Sequence, residues 1–544
     1  MLRTLVTRTT PRVGYRHFSR SLIAAQGKPE VSDYLDKASE APDATATILN
    51  DLIHEAKRIQ SQKSATWFQA LTERQKQLAS GKVLDSYSYT TAGTADIKEK
   101  KRADSFSFLL LPFKEDQWLL DSYINAFGRL KVGQLFQDLD ALAGTIAYKH
   151  TSPAEPMIVT ASVDRICMLQ RVDEISKYNL MVSGSVVWVG RSSMEISIKA
   201  SFTEDAFPPE SEITEDFVKD ENVFLSANFT FVARNPETHR STPINRFLPL
   251  NEKEWVDYTR AESHNAAKKL RAKDRQLTTN VPTTEETELM HNLWKASTKL
   301  KEQIGDTGIK PKNLAFMNDT VLKSVMFMQP QYRNRHSYMI FGGYLMKQAF
   351  ELAYCNSAAF SHAPPRFISL DATSFTNPVP VGSVLYLKSK VVYTEHIPES
   401  DPEAEAANHS DAIASDPHTT DAQLDEYFKL YGSSQFINMS NDPKDFLNKA
   451  GTIVQVKVDT SVRSLNHDAH QKTGTFIYSF FVPKYSYENE NLGVGNQTVA
   501  SGREVKNGHY AVVPESYSDM INFIEGKRRA KETAESFKQL RQNI

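Results

Sequence analysis

Segments in which apolar and polar residues alternate occur in two parts of the chain and predict two sets of β-strands. In the first part, alternation begins near residues 104–113, a helix is predicted near 133–150, and strands are predicted at 158–167, 180–189, 194–202 and 223–233. In the second part, the corresponding segments are a strand at 322–328, a helix at 343–360, and strands near 367 and at 384–394, 452–458 and 475–482. The order strand, helix and four strands therefore occurs twice.

The spacing between the two sets is nearly constant. Gly133 and Gly343 are 210 positions apart, and Asp164 and Asp371 are 207 apart. Such a fixed offset indicates an internal repeat. A long helix wrapped by a mostly antiparallel sheet leaves an exposed edge on each copy, so we expect the two sheets to join edge to edge. The predicted fold class is α+β, with the pair as the functional unit.

Changes in composition predict the domain boundaries. The predicted regions are 1–26, a targeting sequence; 27–103, a polar and helix-prone extension; 104–236, the first copy; 237–320, a helical linker; 321–484, the second copy; and 485–544, a tail ending in a charged helix. The second copy contains an acidic insertion at 395–450 that is rich in Ala, Ser, Pro and Asn. Such a segment buries little apolar surface, which favours a mobile loop over a third domain.

The N-terminal residues have the composition of a mitochondrial presequence. Arginines recur among Ser, Thr and apolar residues at positions 3, 8, 12, 16 and 20, and the first acidic residue is Glu30. A disordered basic tail is the alternative interpretation. If the segment is a presequence, the protein is directed to the mitochondrial matrix.

The composition of the chain and the absence of several catalytic motifs argue against some functional classes. The formal net charge of −2 provides no global basic field for nucleic acid. The longest apolar runs, such as 106–113, are much shorter than the roughly 20 residues that cross a bilayer, so we expect no membrane span. The sequence lacks the motifs of serine hydrolases, P-loop NTPases and zinc enzymes, and only two cysteines occur. We expect neither a metal nor a cofactor.

Asp140 is the most informative polar residue. On a helix, its neighbours at positions −4, +3 and +7 are Phe136, Ala143 and Ala147, all apolar, whereas Asp138 is predicted to lie on the solvent side. A carboxylate at the edge of a core is unfavourable unless it is hydrogen-bonded or functional, and desolvation raises its pKa toward the range of a general base. The alternative is a structural Asp that caps backbone amides or pairs with a lysine.

The second copy has a polar loop that leads into a double glycine at the predicted helix start. Backbone amides at such a position can bind a developing oxyanion, and Gly342 and Gly343 would let a substrate approach closely. The glycines equally well serve tight packing of the helix. The residues alone leave both interpretations open.

Several segments together resemble the tandem-hotdog acyl-CoA thioesterases, most closely the mitochondrial type-9 group. They are 137–142 (QDLDAL), 158–164 (IVTASVD), 183–195 (SGSVVWVGRSSME), 340–346 (IFGGYLM) and 378–382 (PVPVG). This resemblance implies two fused hotdog domains that form a pseudo-dimer and hydrolyse acyl-CoA to free acid and CoA. It also implies a homo-oligomer, plausibly a trimer of double-hotdog chains.

The resemblance implies a cleft shared between the two copies. Asp140 matches the family's acid, seven residues after Gly133, whereas the equivalent position in the second copy is Phe350. Asn334 matches the family's loop asparagine and Gly343 its helix-start amide. One of the two pseudo-symmetric clefts therefore keeps its catalytic parts. Asp140 is expected to act as general base or nucleophile.

Other positions are assigned by resemblance to substrate binding. The loop before the helix has one residue more than the usual spacing, so His336 or Ser337 is the alternative to Asn334. The turn near the CoA pantetheine and phosphates is expected to include Val189, Gly190, Arg191 and Ser192, and Gly342 and His336 are also expected to line the substrate site. The alternative for the turn is an ordinary hairpin with a surface arginine.

Two other functions remain compatible with this fold. A hydratase is the nearest enzymatic alternative, although a paired Asp and His at the helix start is absent. A catalytically silent CoA-binding or scaffold protein is the other.

Overall fold

The computed structural model describes most of the chain after residue 96. The described residues are 67–81, 97–154, 156–235, 238, 240–274, 281–311, 313–334, 338–397, 429–430, 434, 436, 450–465, 470–487, 504–506 and 510–542. The chain divides into two units, 1–69 and 70–544, and the sheet and long helices belong to the second. The predicted presequence, 1–26, lies outside the described residues, as does most of the extension.

The helices follow the predicted order. They are α1 (Trp67–Ala79), α2 (Arg102–Ser105), α3 (Gln117–Tyr123), α4 (Val132–Thr151), α5 (Glu252–Asp274), α6 (Thr284–Thr307), α7 (Gly342–Ser361) and α8 (Tyr517–Gln542). At the start of α6, the Thr283 side chain accepts from the Glu286 amide and the Glu286 side chain accepts from the Thr283 amide, which forms a capping box.

The strands form two groups along the chain, one before α5 and one after α6. They are β1 (Glu99–Lys100), β2 (Ser107–Leu111), β3 (Met157–Met168), β4 (Asn179–Val189), β5 (Ser193–Thr203), β6 (Val223–Arg234), β7 (Arg246–Phe247), β8 (Leu314–Phe316), β9 (Leu322–Phe327), β10 (Arg366–Leu370), β11 (Thr373–Ser374), β12 (Val384–Ile397), β13 (Gly451–Arg463), β14 (His470–Pro483), β15 (Tyr485–Tyr487), β16 (Glu504–Lys506) and β17 (Ala511–Val513).

One large sheet contains strands from both copies. Its order is β2, β4, β5, β6, β3, β10, β14, β13, β12, β9, with β11 also paired to β3. The copies meet where β3 and β10 run antiparallel, with Cys167 opposite Ser369 and Ile166 opposite Leu370. The first half, read inward from β2, has the same order as the second half read inward from β9. The fold is therefore the predicted α+β fold of two fused hotdog domains joined edge to edge.

The two long helices α4 and α7 pack against each other, α4 on the first half of the sheet and α7 on the second. Apolar residues every three or four positions form the buried stripe of α4. Phe136 of α4 meets Phe350 of α7 edge to face, with ring centroids 5.3 Å apart, and both rings contact Phe367 of β10. This aromatic cluster joins the two copies within one core.

The remaining helices pack on the sheet from other positions. α5 contacts β4, and α8 contacts β12. Arg165 of β3 forms ion pairs with Asp371 and with Glu532 of α8, so α8 is tied to the junction between the copies. None of the helices in the described part of the chain is long and apolar enough to cross a membrane.

The acidic insertion begins later than the sequence suggested. β12 extends to Ile397, and Glu395 lies opposite Ile453 of β13. Residues 395–397 therefore belong to the sheet, because their backbone stays paired with β13 as far as Ile397 opposite Gly451. Most of the interval up to residue 450 lies outside the described residues.

Candidate active site

Asp140 lies where α4 meets the start of α7. Only 1% of the residue is exposed, and its helical neighbours Phe136, Ala143 and Ala147 are fully buried, as their spacing predicted. The Gly343 amide donates a hydrogen bond of 2.6 Å to Asp140 Oδ2. The carboxylate of one copy thus reaches the first turn of the helix of the other.

A residue of the sheet holds the other carboxylate oxygen. Thr160 of β3 donates from Oγ1 to Asp140 Oδ1 at 3.0 Å. Burial raises the pKa of Asp140 from 3.8 to about 6, and the hydrogen bonds from Gly343 and Thr160 act in the opposite direction. The side chain is therefore mostly ionised at neutral pH while keeping a basicity closer to that of a histidine. The sequence analysis did not identify Thr160 as a site residue, because the alternating pattern of a strand does not show which helix residue each of its side chains contacts.

The double glycine also serves close packing. A Cβ atom on Gly343 would lie 2.9 Å from the Gln137 Cα atom and 3.0 Å from Asp140 Cβ, and one on Gly342 would lie 3.0 Å from Asp140 Oδ2. Real Cβ atoms are almost never closer than 3.0 Å to such neighbours. The close approach of α7 to α4 therefore requires glycine at 343, and the same approach brings the Gly343 amide within reach of Asp140.

The loops before the two helices have equivalent backbone hydrogen bonds. The Asn334 amide donates to the Met339 carbonyl at 2.8 Å, and the Asn125 amide of the first copy donates to the Arg129 carbonyl at 2.8 Å. Asn125 and Asn334 therefore occupy the same position, and the second loop is one residue longer, as its sequence indicates. Asn334 is half-buried, whereas His336 and Ser337 lie outside the described residues.

The predicted CoA turn is the hairpin between β4 and β5. The Gly190 amide donates to the Ser193 carbonyl, and the carbonyls of Arg191 and Ser192 accept from Ile244 and Ala233. A Cβ on Gly190 would lie 2.8 Å from the Trp188 ring, so this turn is tightly closed. The Arg191 side chain is exposed, and that of Val189 is half-buried.

Strand register gives the position of this turn relative to Asp140. Met194 of β5 lies opposite Phe231 of β6, and Phe231 lies opposite Thr160 of β3. Two strand spacings separate Met194 from Thr160, which is about 10 Å of backbone. The turn therefore lies at the same end of the sheet as the acid.

Asp138 lies on the same face of α4 as the exposed Ala141 and Thr145, as predicted, but it is half-buried. Tyr123 of α3 donates from its hydroxyl to Asp138 Oδ2 at 2.7 Å and covers it. Burial raises the pKa of Asp138 to about 6, opposed by hydrogen bonds from Tyr123 and Gln134 and by the charge of Lys347. Two adjacent acids of α4 thus have similar pKa values, but only Asp140 bonds to the helix start of α7.

The second cleft lacks both polar groups that surround the first. A Cβ on Gly133 would lie 2.7 Å from Glu351 Oε1 and 3.2 Å from Phe350 Cδ1. Phe350 therefore takes the position of Asp140, and the carboxylate of the next residue, Glu351, also lies near the start of α4. The equivalent of Thr160, at the offset of 207, is Phe367. Neither phenylalanine can ionise or donate a hydrogen bond, so the second cleft lacks the counterparts of Asp140 and Thr160.

Proteins of similar sequence are acyl-coenzyme A thioesterases. The chloroplastic acyl-coenzyme A thioesterase 2 of Humulus lupulus is 33% identical over 318 residues, which cover 56% of this chain and 67% of that protein. The mitochondrial acyl-coenzyme A thioesterase 4 of the same plant is 33% identical over 58% of this chain and 58% of its own length. The mitochondrial acyl-coenzyme A thioesterase 10 of Mus musculus is 31% identical over 54% of this chain and 65% of its own length.

Among solved structures, an acyl-CoA hydrolase from Bacillus cereus is 21% identical over 34% of this chain and 99% of its own, with a TM-score of 0.26. No family model matches the chain.

Proposed function

Because the chain belongs to the acyl-CoA thioesterase family, we propose that it hydrolyses acyl-CoA to a free acid and CoA in the cleft at Asp140. The observation that carries the proposal is the 2.6 Å hydrogen bond from the Gly343 amide to this buried carboxylate. It places an acid with a pKa of about 6 at a helix start, where amides have no acceptor within their own helix.

Two roles for Asp140 share this geometry. As general base, its carboxylate removes a proton from water while the water oxygen bonds to the thioester carbon. The carbon–sulfur bond then breaks, and the proton passes from Asp140 to the departing CoA sulfur. As nucleophile, the carboxylate itself bonds to that carbon, releases CoA thiolate, and leaves an anhydride that water then opens. Single turnover in ¹⁸O-labelled water detects the nucleophilic route, because the label enters Asp140 when water opens the anhydride at the Asp140 carbonyl, whereas the general-base route never labels Asp140.

The helix start of α7 supplies the electrostatic stabilisation. The thioester oxygen approaches the first turn of α7, where the amides and the helix dipole favour developing negative charge. Without substrate, the Gly343 amide donates to Asp140. When substrate is bound, the amide polarises the thioester carbonyl, either by donating to both oxygens or by leaving the carboxylate. Asn334 is proposed to orient the water or the carbonyl oxygen, with His336 or Ser337 as alternatives at the loop tip.

The CoA portion is proposed to bind along the hairpin turn. Val189, Gly190 and Ser192 would contact pantetheine through the backbone, and the exposed Arg191 would donate to a phosphate. Gly342 is proposed to line the part of the cleft that binds the acyl group, because a Cβ atom built on Gly342 would lie next to Asp140 and Phe375. His336 is proposed to contribute to the same site.

We propose the mitochondrial matrix as the location. The arginine-rich, acid-free first 29 residues support it, as do the names of several relatives, whereas another relative is named chloroplastic. Fusing residues 1–30 to a fluorescent reporter tests the proposal. Matrix fluorescence is expected, and a cytosolic reporter would contradict it.

The reaction is tested by mixing the purified chain with a panel of acyl-CoAs and a reagent that detects free thiols. Release of free CoA is the expected result. A hydratase would consume an enoyl-CoA without releasing a thiol, and a silent CoA-binding protein would bind the panel without turnover, so either outcome would refute the proposal.

A further inference from the structure

The cleft in which Phe350 replaces the counterpart of Asp140 contains a cavity of about 210 Å³. It lies between the Asn125 loop, the start of α4 and the residues Phe350 and Tyr354 of α7. These parts are the counterparts of those that surround Asp140 in the other cleft. Phe350 and Phe367 replace Asp140 and Thr160, so the hydrogen-bonded pair of acid and threonine is not repeated here, and the lining suggests a binding site.

Positively charged side chains are in excess around this cavity. The cationic lining residues are Arg129, Lys131, Arg171 and Arg366, and the acidic ones are Asp173 and Glu351. We call this site the arginine cleft, defined by Arg129, Arg171, Arg366, Phe350 and Phe367. Asp173 forms ion pairs with both Arg171 and Arg366, the latter at 2.8 Å. Four cationic and two acidic side chains line the cavity, so two positive charges are in excess.

The charges of the arginine cleft are partly removed from water. The Arg366 side chain is 12% exposed. Burial lowers the pKa of Arg129 and of Arg171, and the nearby charge of Arg366 lowers both further. Buried like charges repel one another, so an anion in the cavity would be attracted by all three guanidinium groups.

Much of the remaining lining is apolar. The contributing side chains are Leu130, Val132, Met168, Val172, Phe224, Phe350 and Phe367. The volume is below the roughly 300–1,000 Å³ of pockets that take drug-sized ligands. A nucleotide would exceed this space and would leave the apolar walls without a matching group, whereas a small anion with a hydrocarbon tail matches both charge and lining.

We propose that the arginine cleft binds a carboxylate that carries a short apolar chain. The carboxylate accepts from the guanidinium groups, which suit planar two-oxygen anions, and the chain packs against Phe350 and Phe367. That such a ligand is also the acid released by the enzyme rests on the proposed function. The binding site itself does not depend on that reaction.

Calorimetric titration of the full chain with octanoate tests the proposal, with octanol and inorganic phosphate as probes of tail and charge alone. We expect saturable octanoate binding and at least tenfold weaker binding of each of the other two. The double variant Arg129→Gln/Arg366→Gln should weaken octanoate binding at least tenfold, whereas Arg260→Gln, a surface arginine of α5, should not.

Two further variants keep the outcome clear. Val172→Trp fills the cavity and leaves its charges intact, and it should also weaken octanoate binding at least tenfold. This variant tests the proposal even when the double variant fails to fold. Asp140→Asn should keep the octanoate binding that the double variant loses, so a failed hydrolase proposal leaves this site intact. Unchanged octanoate binding in the folded double variant or in Val172→Trp would overturn the proposal, as would phosphate competing as strongly as octanoate.

Discussion

At the scale of single residues, Asp140 combines two opposing effects on one carboxyl group. Desolvation favours its neutral form, while hydrogen bonds from Gly343 and Thr160 favour the carboxylate, and desolvation prevails, so the pKa is about 6. Helical spacing was sufficient to predict that Asp140 points to the core. Helical spacing could not predict that Asp138 is partly covered, because Tyr123, which covers it, comes from another helix.

Replacing Asp140 with Asn should stabilise the protein at neutral pH. The folded-state pKa lies above the ordinary 3.8, so the folded chain binds more protons than the unfolded chain between about pH 4 and 6. Ionisation therefore lowers the free energy of unfolding as pH rises through this window, by up to about 3 kcal/mol for two pKa units. Melting temperatures of variant and parent should diverge from pH 4 to 6.5 and then run parallel; a constant difference would contradict this.

Thr160→Val should make the acid harder to ionise. Valine has the same shape but cannot donate to Asp140 Oδ1, so the pKa of Asp140 rises above 6 and the midpoint of the kcat/KM against pH profile moves to higher pH. Activity should then fall several-fold at pH 6 and much less at pH 9. Thr145→Val, an exposed position on α4, is the control, and an unmoved midpoint in Thr160→Val would refute the assignment.

At the scale of elements, the close approach of α4 and α7 positions the site. The sequence predicted both helices to within one residue at each end, since their apolar spacing is regular and each is flanked by polar loops. The sequence also predicted a helical linker at 237–320, in which α6 extends to Thr307. It also ended β13 five residues early, at the point where the exposed face of the strand becomes polar.

Gly343→Ala should destabilise the pair of helices. Its Cβ would meet the Gln137 backbone at 2.9 Å, which forces the helices apart at a cost of roughly 1–3 kcal/mol. Gly144→Ala is the matched control, because no atom lies within 4 Å of its Cβ position and alanine favours helix by about 1 kcal/mol. Thermal unfolding should show opposite signs for the two variants, and equal effects would contradict the packing argument.

At the scale of the whole molecule, two copies complete one sheet and share two clefts. The repeat and its edge-to-edge joining could be predicted from order and offset alone. The arginine cleft could not, because Arg129, Arg171 and Arg366 come from separate loops and a strand that only the fold brings together. The homo-oligomer stays a prediction, supported by β9, an outer strand of the sheet.

The outer edge at β9 should mediate self-association. Val325 and Phe327 are 57% and 46% exposed there, beside backbone groups that a further strand could pair with. Val325→Lys/Phe327→Lys should convert the expected oligomer, a trimer of the 61.4 kDa chain, to a smaller species in light scattering after size exclusion. Unchanged mass in the folded variant would exclude β9 as the contact.

The central claim is that hydrolysis depends on the acid held at the start of α7. Asp140→Asn and Asp138→Asn alter neighbouring acids of one helix, each with a pKa of about 6, and only Asp140 bonds to Gly343. The deciding measurement is kcat/KM of both folded variants for the best acyl-CoA of the panel. A loss of about 10²–10⁴-fold for Asp140→Asn and less than tenfold for Asp138→Asn is predicted; parental turnover in Asp140→Asn would contradict the account.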